Sequence, residues 1–506
     1  MAVPQPIGVI GAGTMGLGIA QLAAQAGART LMYDPVPEAL DSARDRIAAA
    51  LERPVAKGRI TAEEADAIVA RIEPVADVGS LAPAAVVIEA APERLDLKHE
   101  LFAALEAAVA PGCVLATNTS SLSVTEVAAA LEHPERVVGL HFFNPAPVMR
   151  LVELVPGQAS SEVALATARA VGEAMGKHVI AARDIAGFLV NRVNRPFSLE
   201  SLRLVQEGVA GPEQVDRIVR MGGGFRMGPF ELMDLVGIDT NHAVAEQFHR
   251  QTYGEPRYRP SPLAARMVAA GTLGRKTGRG WYEYTEGREH RPADPEPPAG
   301  GGGGGRTVVV TGAGPVADTL RAGLAEAGFD VSANGGDPWL VVGCDGPVGG
   351  EHRMVLVDRG PLHQVDPGAA GFHLLAPLRP GGLVELTATP ATPPEAIGRA
   401  RELAAALGQH VEQVGDAPGL VLGRIVSQLV NEAAFLIGEG NGTAADVDAG
   451  LELGVNHPRG PVAFSRDIGL GHVTAVLAAL RRDRGEAYRA APRLTERAAL
   501  GGDLGD

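Results

Sequence analysis

Apolar and polar positions in the first part of the chain alternate in the way expected of an α/β domain. Residues 7–34, "IGVIGAGTMGLGIAQLAAQAGARTLMYD", contain an apolar run of strand length, a glycine turn, a helical pattern and a second apolar run. Later, "AAVVIEAAPE" and "GCVLATNTS" have the length and composition of buried strands, and each follows a segment with helical spacing. Strands that alternate with helices predict a mostly parallel sheet with helices on both faces.

The pattern changes from about Asp184. "GFLVNRVNRPFSLESLRLVQEG" and "GPFELMDLVGIDTNHAVAEQFHR" show helical periodicity, and the sequence between them does not read as a strand. An all-α domain is therefore predicted, which ends near "GRKTGRGWYEY". Residues 286–305, "EGREHRPADPEPPAGGGGGG", are polar and rich in proline and glycine, which predicts a flexible linker.

Beyond the linker the chain repeats itself. "TVVVTGAGPVADTLRAGLAEAGFDVS" has the same strand, turn, helix and strand order as the opening, and a constant offset of 232 residues relates many later positions. A register held over so many positions indicates an internal duplication. The opening glycine turns match at an offset of 301 instead, so the second copy lacks about 69 residues, which predicts that it has lost much of a helical hairpin and the strands after the first β-α-β unit. Pairs at the offset of 232 include His141 with His373, Glu153 with Glu385, Asp184 with Asp416, Arg192 with Arg424, Glu207 with Glu439, Asp216 with Asp448 and Gly228 with Gly460.

The glycine turn "GAGTMG" indicates a nucleotide site. Gly11, Gly13 and Gly16 follow a strand and open a helix, where small residues permit a tight turn and let a pyrophosphate approach the free N–H groups of the helix. Asp34 ends the second strand, where its carboxylate can accept hydrogen bonds from a ribose and would repel a phosphate on that ribose. The cofactor predicted is NAD rather than NADP; the alternative is a glycine-rich turn in some other α/β protein.

Together these patterns predict an α/β Rossmann-type NAD-binding domain followed by an all-α domain, with the pair duplicated and the second Rossmann-like unit truncated and degenerate. The predicted segments are the NAD-binding domain (1–186), the helical domain (187–285), the linker (286–305), the reduced Rossmann-like domain (306–417), the second helical domain (418–485) and a C-terminal tail (486–506).

Composition narrows the protein class. Of the 506 residues 46% are apolar and 21% charged, as in folded globular proteins, and the net charge of −15 argues against a nucleic-acid partner. Cys113 and Cys344 lie far apart in the sequence, without neighbouring metal ligands, which argues against a disulfide framework or a metal site. The N-terminus does not resemble a signal peptide and no apolar run approaches the ~18 residues of a membrane helix. A soluble cytoplasmic protein without a membrane partner is predicted.

One histidine and one glutamate interrupt two apolar runs. In "GLHFFNPAPVMRLVELV", His141 ends the first run and Glu153 lies within the second. Two interpretations compete at this point. The two side chains form either a buried structural pair or an acid–base dyad.

Several long motifs resemble one family. "VIGAGTMGLGIA", "ATNTSSLSVTEVA", "GLHFFNPAPVMRLVELV", "GFLVNRV", "GPFELMDLVGID" and "GRKTGRGWYEY" resemble the L-3-hydroxyacyl-CoA dehydrogenase family, in its order, across residues 5–285. The second half resembles the reduced module of long 3-hydroxybutyryl-CoA and 3-hydroxyadipyl-CoA dehydrogenases, including those of phenylacetate breakdown. The resemblance implies NAD-dependent, reversible oxidation of the 3-hydroxyl of an L-3-hydroxyacyl-CoA, on short-chain or dicarboxyl acyl groups.

The resemblance also implies roles for individual residues. His141 becomes the general base and Glu153 its orienting partner, while Ser120 and Asn191 become substrate and transition-state contacts. The chemistry agrees, because an alcohol that loses hydride to NAD must also lose its hydroxyl proton, and an imidazole oriented by a carboxylate can take it.

Further contacts follow from the same resemblance. Glu93, Lys98 and Asn118 are implied along the cofactor; for Lys98 the alternative is a solvated residue in the first turn of a helix. Arg53 and Lys57 are implied at the CoA phosphates. They share a helical face only if the helix continues past Pro54, and the alternative is a solvated basic patch. These and the preceding residues complete the predicted site.

The second copy lacks most of this site. Gly423 holds the position of Asn191, Ala317 that of the third glycine and Gly335 that of Asp34, and the serine motif has no counterpart. His373 and Glu385 are predicted to survive as a dyad, but this unit is predicted to bind no NAD and to do no chemistry. Its helical part is predicted to cover the apolar face of the first helical domain as an intrachain pseudo-dimer; a homodimer is the alternative.

Two other functions compete with the leading one. A related NAD-dependent hydroxyacid or sugar-acid dehydrogenase would act on substrates without CoA. A non-catalytic dinucleotide-binding scaffold would keep the fold alone, and the joint presence of Ser120, His141, Glu153 and Asn191 argues against it.

Overall fold

The computed structural model describes residues 3–332 and 337–505, so Gly335 lies outside the described residues. The chain forms two compact units. The first takes the described residues up to Arg192 together with Glu452–Val455, and the second takes the remaining described residues from Val193 onward. The segment boundaries predicted from sequence stay predictions.

The first unit is built on an eight-stranded sheet. Its strands are β1 Ile7–Ile10, β2 Thr30–Tyr33, β3 Ile72–Pro74, β4 Val86–Glu89, β5 Val114–Thr117, β6 Val137–Phe142, β7 Leu151–Pro156 and β8 His178–Ala181. Their order is β3-β2-β1-β4-β5-β6-β7-β8, and every neighbouring pair is parallel except β6 with β7. Its helices are α1 Thr14–Gln25, α2 Pro37–Asp41, α3 Ala43–Ala56, α4 Ala62–Ala70, α5 Leu95–Ala108, α6 Val124–Ala128 and α7 Glu162–Ala174.

The apolar composition of the central strands explains why they lie in the middle of the sheet. All four residues of β1 are buried, because a parallel strand covered by helices on both faces has no solvated side. Alternate residues of β1, Ile7 and Val9, join one core with Ile19 and Ala23 of α1. The prediction of a Rossmann-type domain is confirmed.

The second unit begins with helices and no named strand among its described residues before 307. They are α8 Val190–Gln206, whose first turn belongs to the first unit, α9 Pro212–Arg217, α10 Pro229–Val236, α11 Ile238–Gln251 and α12 Pro262–Ala269. A π-helical turn, Ile218–Gly222, continues α9. The predicted all-α domain is therefore present.

A second, seven-stranded sheet follows. Its strands are β9 Thr307–Thr311, β10 Asp330–Ser332, β11 Leu340–Gly343, β12 Arg353–Leu356, β13 Ala370–His373, β14 Leu383–Thr387 and β15 His410–Gln413, in the order β10-β9-β11-β12-β13-β14-β15. Its helices are α13 Pro315–Glu326, α14 Leu362–Val365 and α15 Pro394–Ala406. The chain ends with α16 Leu422–Gly438, α17 Ala444–Gly454, α18 Pro461–Ile468, α19 Leu470–Arg484 and α20 Pro492–Leu500.

The truncation of the second copy removed mainly helices. In the described residues, each strand of the first sheet except β3 has a counterpart in the second, whereas α2, α3, α4 and α5 have none. The expectation that strands after the first β-α-β unit are lost is therefore mostly wrong. The physical reason is that β3 lies at the edge of its sheet, so its loss leaves β11 free to pair with β9 as β4 pairs with β1.

The linker makes specific contacts in the second unit. Arg291 Nε and His290 Nε2 each lie 2.8 Å from Glu231 Oε1, and Asp294 accepts a hydrogen bond of 2.8 Å from Arg220. Burial raises the pKa of Glu231, but the hydrogen bonds from His290 and Arg291 lower it to about 2. Three charged residues of the linker, His290, Arg291 and Asp294, therefore have partners in the second unit, and the flexibility of the linker stays a prediction.

The two helical copies contact each other reciprocally within the second unit. Arg424 of the second copy donates to Glu200 at 2.8 Å, and the Tyr488 hydroxyl lies 3.0 Å from the same carboxylate. In return, Glu432, which matches Glu200 at the offset of 232, accepts hydrogen bonds from Tyr258 and from Arg257 of the first copy. Reciprocal contacts are the mark of a two-fold interface. They are what the pseudo-dimer prediction expects; the oligomeric state stays a prediction.

Within the described part of the chain, the helices are all too short or too polar to span a bilayer.

Candidate active site

Strand register brings the histidine and the glutamate together. The antiparallel pairing of β6 with β7 sets His141 directly opposite Glu153. His141 Nδ1 lies 2.7 Å from Glu153 Oε2, and both side chains are buried, with 6% and 0% of their surface exposed. Because the carboxylate engages Nδ1, the other ring nitrogen, Nε2, is the one that can exchange a proton with a ligand.

The start of α8 anchors the glutamate. The backbone N–H groups of Leu189 and Val190 donate to Glu153 Oε1 at 3.0 and 2.9 Å. The preceding turn, Gly187 and Phe188, has positive φ angles of 70° and 52°. A left-handed phenylalanine costs of order 1 kcal/mol or more, and this turn aims the positive end of the helix dipole at the carboxylate.

Two aromatic rings enclose the imidazole. The ring centroid of Phe143 lies 4.5 Å from that of His141, and the ring of Phe188 lies 5.8 Å away in an edge-on orientation. Both phenylalanines are buried. They limit access of water to the histidine, which strengthens its interaction with the carboxylate.

A segment of the second copy completes this wall in the first unit. A Cβ added to Gly454, at the end of α17, would lie 2.8 Å from Leu151 Cδ2 and 3.6 Å from the Phe143 ring. The segment therefore packs behind the phenylalanine that contacts His141. This contact was not predicted from the sequence, although the match of Gly454 with Gly222 at the offset of 232 could have drawn attention to the position.

Ser120 and Asn191 present polar groups to solvent-accessible space. Ser120 follows β5, which neighbours β6, and Asn191 lies in the first turn of α8 beside Val190. Both residues are partly exposed. In residues 3–332 and 337–505, neither the Ser120 hydroxyl nor the Asn191 amide has a hydrogen-bond partner, so both groups can bind a ligand.

Glu93 holds the serine motif. Its Oε1 accepts hydrogen bonds from Thr119 Oγ1 at 2.5 Å, from the Ser120 N–H at 2.9 Å and from Ser121 Oγ at 2.9 Å. Burial raises the pKa of Glu93, but Lys98 and these hydroxyl groups lower it overall, which keeps the carboxylate ionised. A contact of Glu93 with the cofactor stays a prediction.

Lys98 is buried and Asn118 is partly buried, and both side chains make polar contacts. The Lys98 side chain is 1% exposed and its Nζ lies 2.6 Å from Glu89 and 3.4 Å from Glu93, so the alternative of a solvated helix residue is wrong. Asn118 Oδ1 accepts the Phe142 N–H at 2.8 Å, which connects β5 to β6. Their predicted contacts with the cofactor remain untested.

The glycine turn has the shape that NAD requires. Gly11 has a φ of 103° and a Cβ there would lie 2.6 Å from the Ala90 carbonyl oxygen, while a Cβ on Gly16 would overlap the Gly11 carbonyl. A Cβ on Gly13 would meet nothing within 4 Å, so the space beside the helix start is open. No side chain caps α1, which leaves its first N–H groups for an anion.

Asp34 completes the nucleotide site. Its carboxylate accepts the Ala12 N–H at 2.6 Å and the Val36 N–H at 2.8 Å, which fixes it beside the glycine turn. Each oxygen keeps a further lone pair for a ribose hydroxyl. The residues present therefore fit NAD.

Arg53 and Lys57 lie on one continuous helix face. Helix α3 continues through Pro54 to Ala56, and the Lys57 N–H donates to the Arg53 carbonyl at 3.1 Å. Both residues are exposed, and neither has an ion-pair partner in the described part of the chain. The spacing thus permits a joint contact with phosphates, which stays a prediction alongside the solvated patch.

The second copy does not keep the dyad. His373 Nδ1 lies 3.6 Å from Glu385 Oε1, too far for a hydrogen bond, and His373 Nε2 lies 3.1 Å from His472 Nε2. Burial lowers the pKa of His373 to about 3 and raises that of Glu385 to about 8, so both are neutral at pH 7. The expectation of a surviving dyad is wrong. A Cβ on Gly423 would overlap His373 Nε2, so the glycine at the position of Asn191 lets the imidazole pack against the backbone.

The second glycine turn has a different lining. A Cβ on Gly312 would lie 3.0 Å from the Asp345 carboxyl carbon, so an acidic side chain lies against the first glycine of this turn. Helix α13 begins at Pro315, which has no N–H to offer. Both features support the prediction that this unit binds no NAD, which remains untested.

Family models match most of the chain. The 3-hydroxyacyl-CoA dehydrogenase NAD-binding domain matches residues 6–185. The C-terminal domain of the same family matches residues 187–284 and again residues 419–506, in agreement with the internal duplication.

Relatives match at full and at half length. The 3-hydroxyadipyl-CoA dehydrogenase of Escherichia coli (strain K12) is 37% identical over 499 residues, which cover 98% of both chains. Human mitochondrial hydroxyacyl-coenzyme A dehydrogenase is 37% identical over 283 residues, 54% of this chain and 90% of the human one.

Solved structures agree. A 3-hydroxybutyryl-CoA dehydrogenase from Escherichia coli K12 covers 98% of both chains, with a TM-score of 0.82 and 34% identity. The (S)-3-hydroxybutyryl-CoA dehydrogenase of Ralstonia eutropha covers 55% of this chain and 99% of its own, with a TM-score of 0.54 and 39% identity. The chain therefore belongs to the 3-hydroxyacyl-CoA dehydrogenase family and is an NAD-dependent 3-hydroxyacyl-CoA dehydrogenase.

Proposed function

We propose that the chain oxidises the 3-hydroxyl of short-chain or dicarboxyl L-3-hydroxyacyl-CoA thioesters, with His141 as the general base. The observation that carries the proposal is the 2.7 Å hydrogen bond from His141 Nδ1 to a fully buried Glu153, which leaves Nε2 for the substrate. This pair belongs to the same compact unit as the glycine turn.

The proton path follows from this geometry. His141 Nε2 accepts the hydroxyl proton of the substrate as the carbon loses its hydrogen, and bound NAD supplies the hydride acceptor. Glu153 holds the tautomer that leaves Nε2 unprotonated and stabilises the imidazolium that forms. The N–H groups at the start of α8 hold that carboxylate in place.

Ser120 and Asn191 bind the reacting oxygens. Their unpartnered hydroxyl and amide groups donate to the 3-oxygen and to the thioester carbonyl, where hydrogen bonds gain strength as charge shifts. Arg53 and Lys57 meet the CoA phosphates, since exposed basic side chains one helical turn apart can share an anion. Glu93, Lys98 and Asn118 support the cofactor side of the site.

The substrate range is proposed from two relatives that match along the whole chain. One is named for 3-hydroxyadipyl-CoA and the other for 3-hydroxybutyryl-CoA. Both names describe short acyl groups, and the first describes a dicarboxyl one. We therefore propose a role in the breakdown of short or dicarboxyl acyl-CoA, with fatty-acid or phenylacetate catabolism as the proposed pathway.

A spectrophotometric assay of NADH formation tests the function. The substrates are the CoA thioesters of 3-hydroxybutyrate, 3-hydroxyadipate and a long 3-hydroxyacyl group, with free 3-hydroxybutyrate as the control. We expect the first two thioesters to give the highest kcat/KM and the free acid to give none. A preference for the long thioester, or turnover of the free acid at a similar kcat/KM, would contradict the proposal.

We keep the cytoplasm as the proposed compartment. Cys113 and Cys344 are both free and buried, and burial raises the pKa of each thiol, to about 11 and about 12. Two protonated, unpaired thiols suit a reducing environment.

A further inference from the structure

A cavity of about 210 Å³ lies in the second unit, apart from the dyad of the first. It has room for about seven water molecules at ~30 Å³ each. Part of its wall is apolar and part is charged. Its lining residues are Gly222, Leu375, Ala376, Pro377, Arg379, Arg459, Phe464 and Asp467.

Two arginines give this cavity a net positive charge. Arg459 is ion-paired with Asp467, whereas the Arg379 guanidinium has neither an ion pair nor a hydrogen bond within residues 3–332 and 337–505. Burial and then the charge of Arg459 lower the pKa of Arg379. Both arginines are partly exposed, and the residues that line the cavity include two arginines but one carboxylate, so a bound anion would supply the counter-charge that Arg379 lacks.

The backbone is shaped around Arg379. A Cβ on Gly224 would overlap Arg379 Nη1, so the glycine makes room for the guanidinium. Gly224 follows the π-helical turn Ile218–Gly222, a rare conformation that is frequent at functional sites. A side chain at this position would displace the arginine from the cavity.

The charge is specific to the second copy. At the offset of 232, Arg379 matches Pro147, Arg459 matches Met227 and Asp467 matches Leu235. The first copy therefore has no charged residue at any of the three positions. The copy that lost the residues of dehydrogenation has two arginines there instead.

We infer that this cavity binds a short aliphatic carboxylate. The carboxylate accepts hydrogen bonds from Arg379 and Arg459, and the aliphatic body lies against Leu375 and Phe464. The apolar wall favours an organic acid over inorganic phosphate, because phosphate would leave that wall without a partner.

Isothermal titration calorimetry of the full-length protein tests the inference, with hexanoate and inorganic phosphate as the two probes. We expect saturable binding of hexanoate, and weaker binding of phosphate. Arg379→Gln should raise the Kd for hexanoate on the order of 10- to 100-fold, since it removes a charge-assisted hydrogen bond. Arg266→Gln is the matched control, because Arg266 is exposed on α12, and it should leave the Kd unchanged.

Three results would overturn the inference. These are the absence of saturable hexanoate binding, tighter binding of phosphate than of hexanoate, and a Kd for hexanoate that Arg379→Gln leaves unchanged. If circular dichroism shows that Arg379→Gln does not fold, Arg379→Lys replaces it. That variant keeps the charge but not the two-pronged geometry, so a several-fold increase in Kd supports the site and an unchanged Kd rejects it.

Discussion

The two copies of the chain hold the same pair of residues in different arrangements. His141 and Glu153 share a hydrogen bond of 2.7 Å, whereas His373 and Glu385 are 3.6 Å apart and both neutral at pH 7. In both copies, the glutamate accepts hydrogen bonds from two backbone N–H groups, at the start of α8 in the first copy and of α16 in the second. The difference therefore lies in what surrounds the imidazole, which in the second copy is a second histidine, His472.

Replacing the proposed base tests its role directly. His141→Gln removes the proton acceptor without adding charge, and we expect kcat to fall on the order of 10²- to 10⁴-fold. NAD affinity, measured by titration calorimetry, should stay within about two-fold, since the glycine turn and Asp34 are untouched. A variant that binds NAD and keeps full turnover would reject His141 as the base.

Replacing the glutamates of the two copies separates orientation from folding. Glu153→Gln presents an amide to Nδ1 and favours the tautomer with a protonated Nε2, so kcat should fall by about 10³- to 10⁴-fold. Glu385→Gln is the matched control, because the pKa of Glu385 is already raised to about 8 by burial and an amide resembles its protonated form. NADH formation by the control should equal that of the unaltered protein. Equal losses in both variants would show that the effect is structural.

The two histidine–glutamate pairs show which contacts between side chains could be predicted from the sequence. The spacing of His141 and Glu153 in two apolar runs was enough to predict a paired histidine and glutamate, because an antiparallel register sets them opposite each other. The separation of His373 from Glu385 was not predictable, since it depends on His472, almost a hundred positions away. Sequence spacing carries no information on such a distant contact.

At the scale of elements, the end of α17 has a role that its own sequence does not indicate. Gly454 lies against Leu151 and Phe143 of the first unit, and the Phe143 ring contacts His141. The counterpart Gly222 packs against Leu383 and Leu422 in the second unit. A Cβ at Gly454 would lie closer to a leucine methyl group than Cβ atoms normally do, and a Cβ at Gly222 would make a tight contact.

A larger residue at Gly454 should disturb the histidine through the phenylalanine. We expect Gly454→Val to lower kcat about ten-fold, because its Cβ alone would approach Leu151 Cδ2 to 2.8 Å and its methyl groups would push the Phe143 ring. Gly222→Val is the control, since its Cβ would meet Leu422 at 3.0 Å instead, and turnover per folded molecule should be unchanged. Turnover is measured as NADH formation and the folded fraction by circular dichroism. A Gly454→Val variant with full kcat would contradict the role.

The fold class was predictable from sequence, but the behaviour of some elements was not. Strand and helix periodicity identified the α/β and helical parts, because buried strands and amphipathic helices leave distinct patterns. The composition of residues 286–305 suggested mobility, yet His290, Arg291 and Asp294 pair with charges more than fifty positions earlier. The composition of a segment indicates whether it is flexible in isolation, but it does not identify the residues that the segment contacts in the folded protein.

At the scale of the whole molecule, buried ion pairs join the two helical copies, and the most deeply buried of those described is Arg424 with Glu200. Glu200 and Arg424 are both fully buried, and the coulombic interaction with Arg424 and Arg203 lowers the pKa of Glu200 despite its burial. Neither charge is close to water. Each buried charge is tolerated because it has partners of opposite sign: Glu200 has Arg424 and Arg203, and Arg424 also has Glu207.

Removing the arginine should leave the glutamate with a weaker set of counter-charges. Arg424→Leu is expected to lower the free energy of unfolding by about 3 kcal/mol, because the buried Glu200 then keeps Arg203 at 3.1 Å but loses its buried partner. The double variant Arg424→Leu with Glu200→Leu should recover much of that loss. Urea unfolding, followed by circular dichroism, measures both. A loss below about 1 kcal/mol in the single variant would show that the pair does not hold the copies together.

Acid should weaken the second unit through His457. This side chain is buried between Phe197 and Phe225, and burial lowers its pKa to about 3. Between pH 6.5 and 3 the unfolded chain binds a proton that the folded chain excludes, so stability falls as pH falls through that range. At pH 5 the cost is about 2 kcal/mol relative to pH 7.5.

A histidine replacement isolates this contribution. In His457→Leu, the loss of stability between pH 7.5 and 5, measured by urea unfolding at both values, should be smaller by about 2 kcal/mol than in the unaltered protein. His178→Leu is the control, because His178 is exposed, and it should leave the pH dependence unchanged. Identical pH dependence in His457→Leu and the unaltered protein would contradict the expectation.

The placement of Glu452–Val455 in the first unit has a consequence for the order of events during synthesis. The ribosome delivers residues 1–192 long before it delivers these four. The packing layer behind Phe143 is therefore still missing when translation has passed the dyad, and it can be added only after most of the second copy has left the exit tunnel. The first unit can therefore be completed only late in translation.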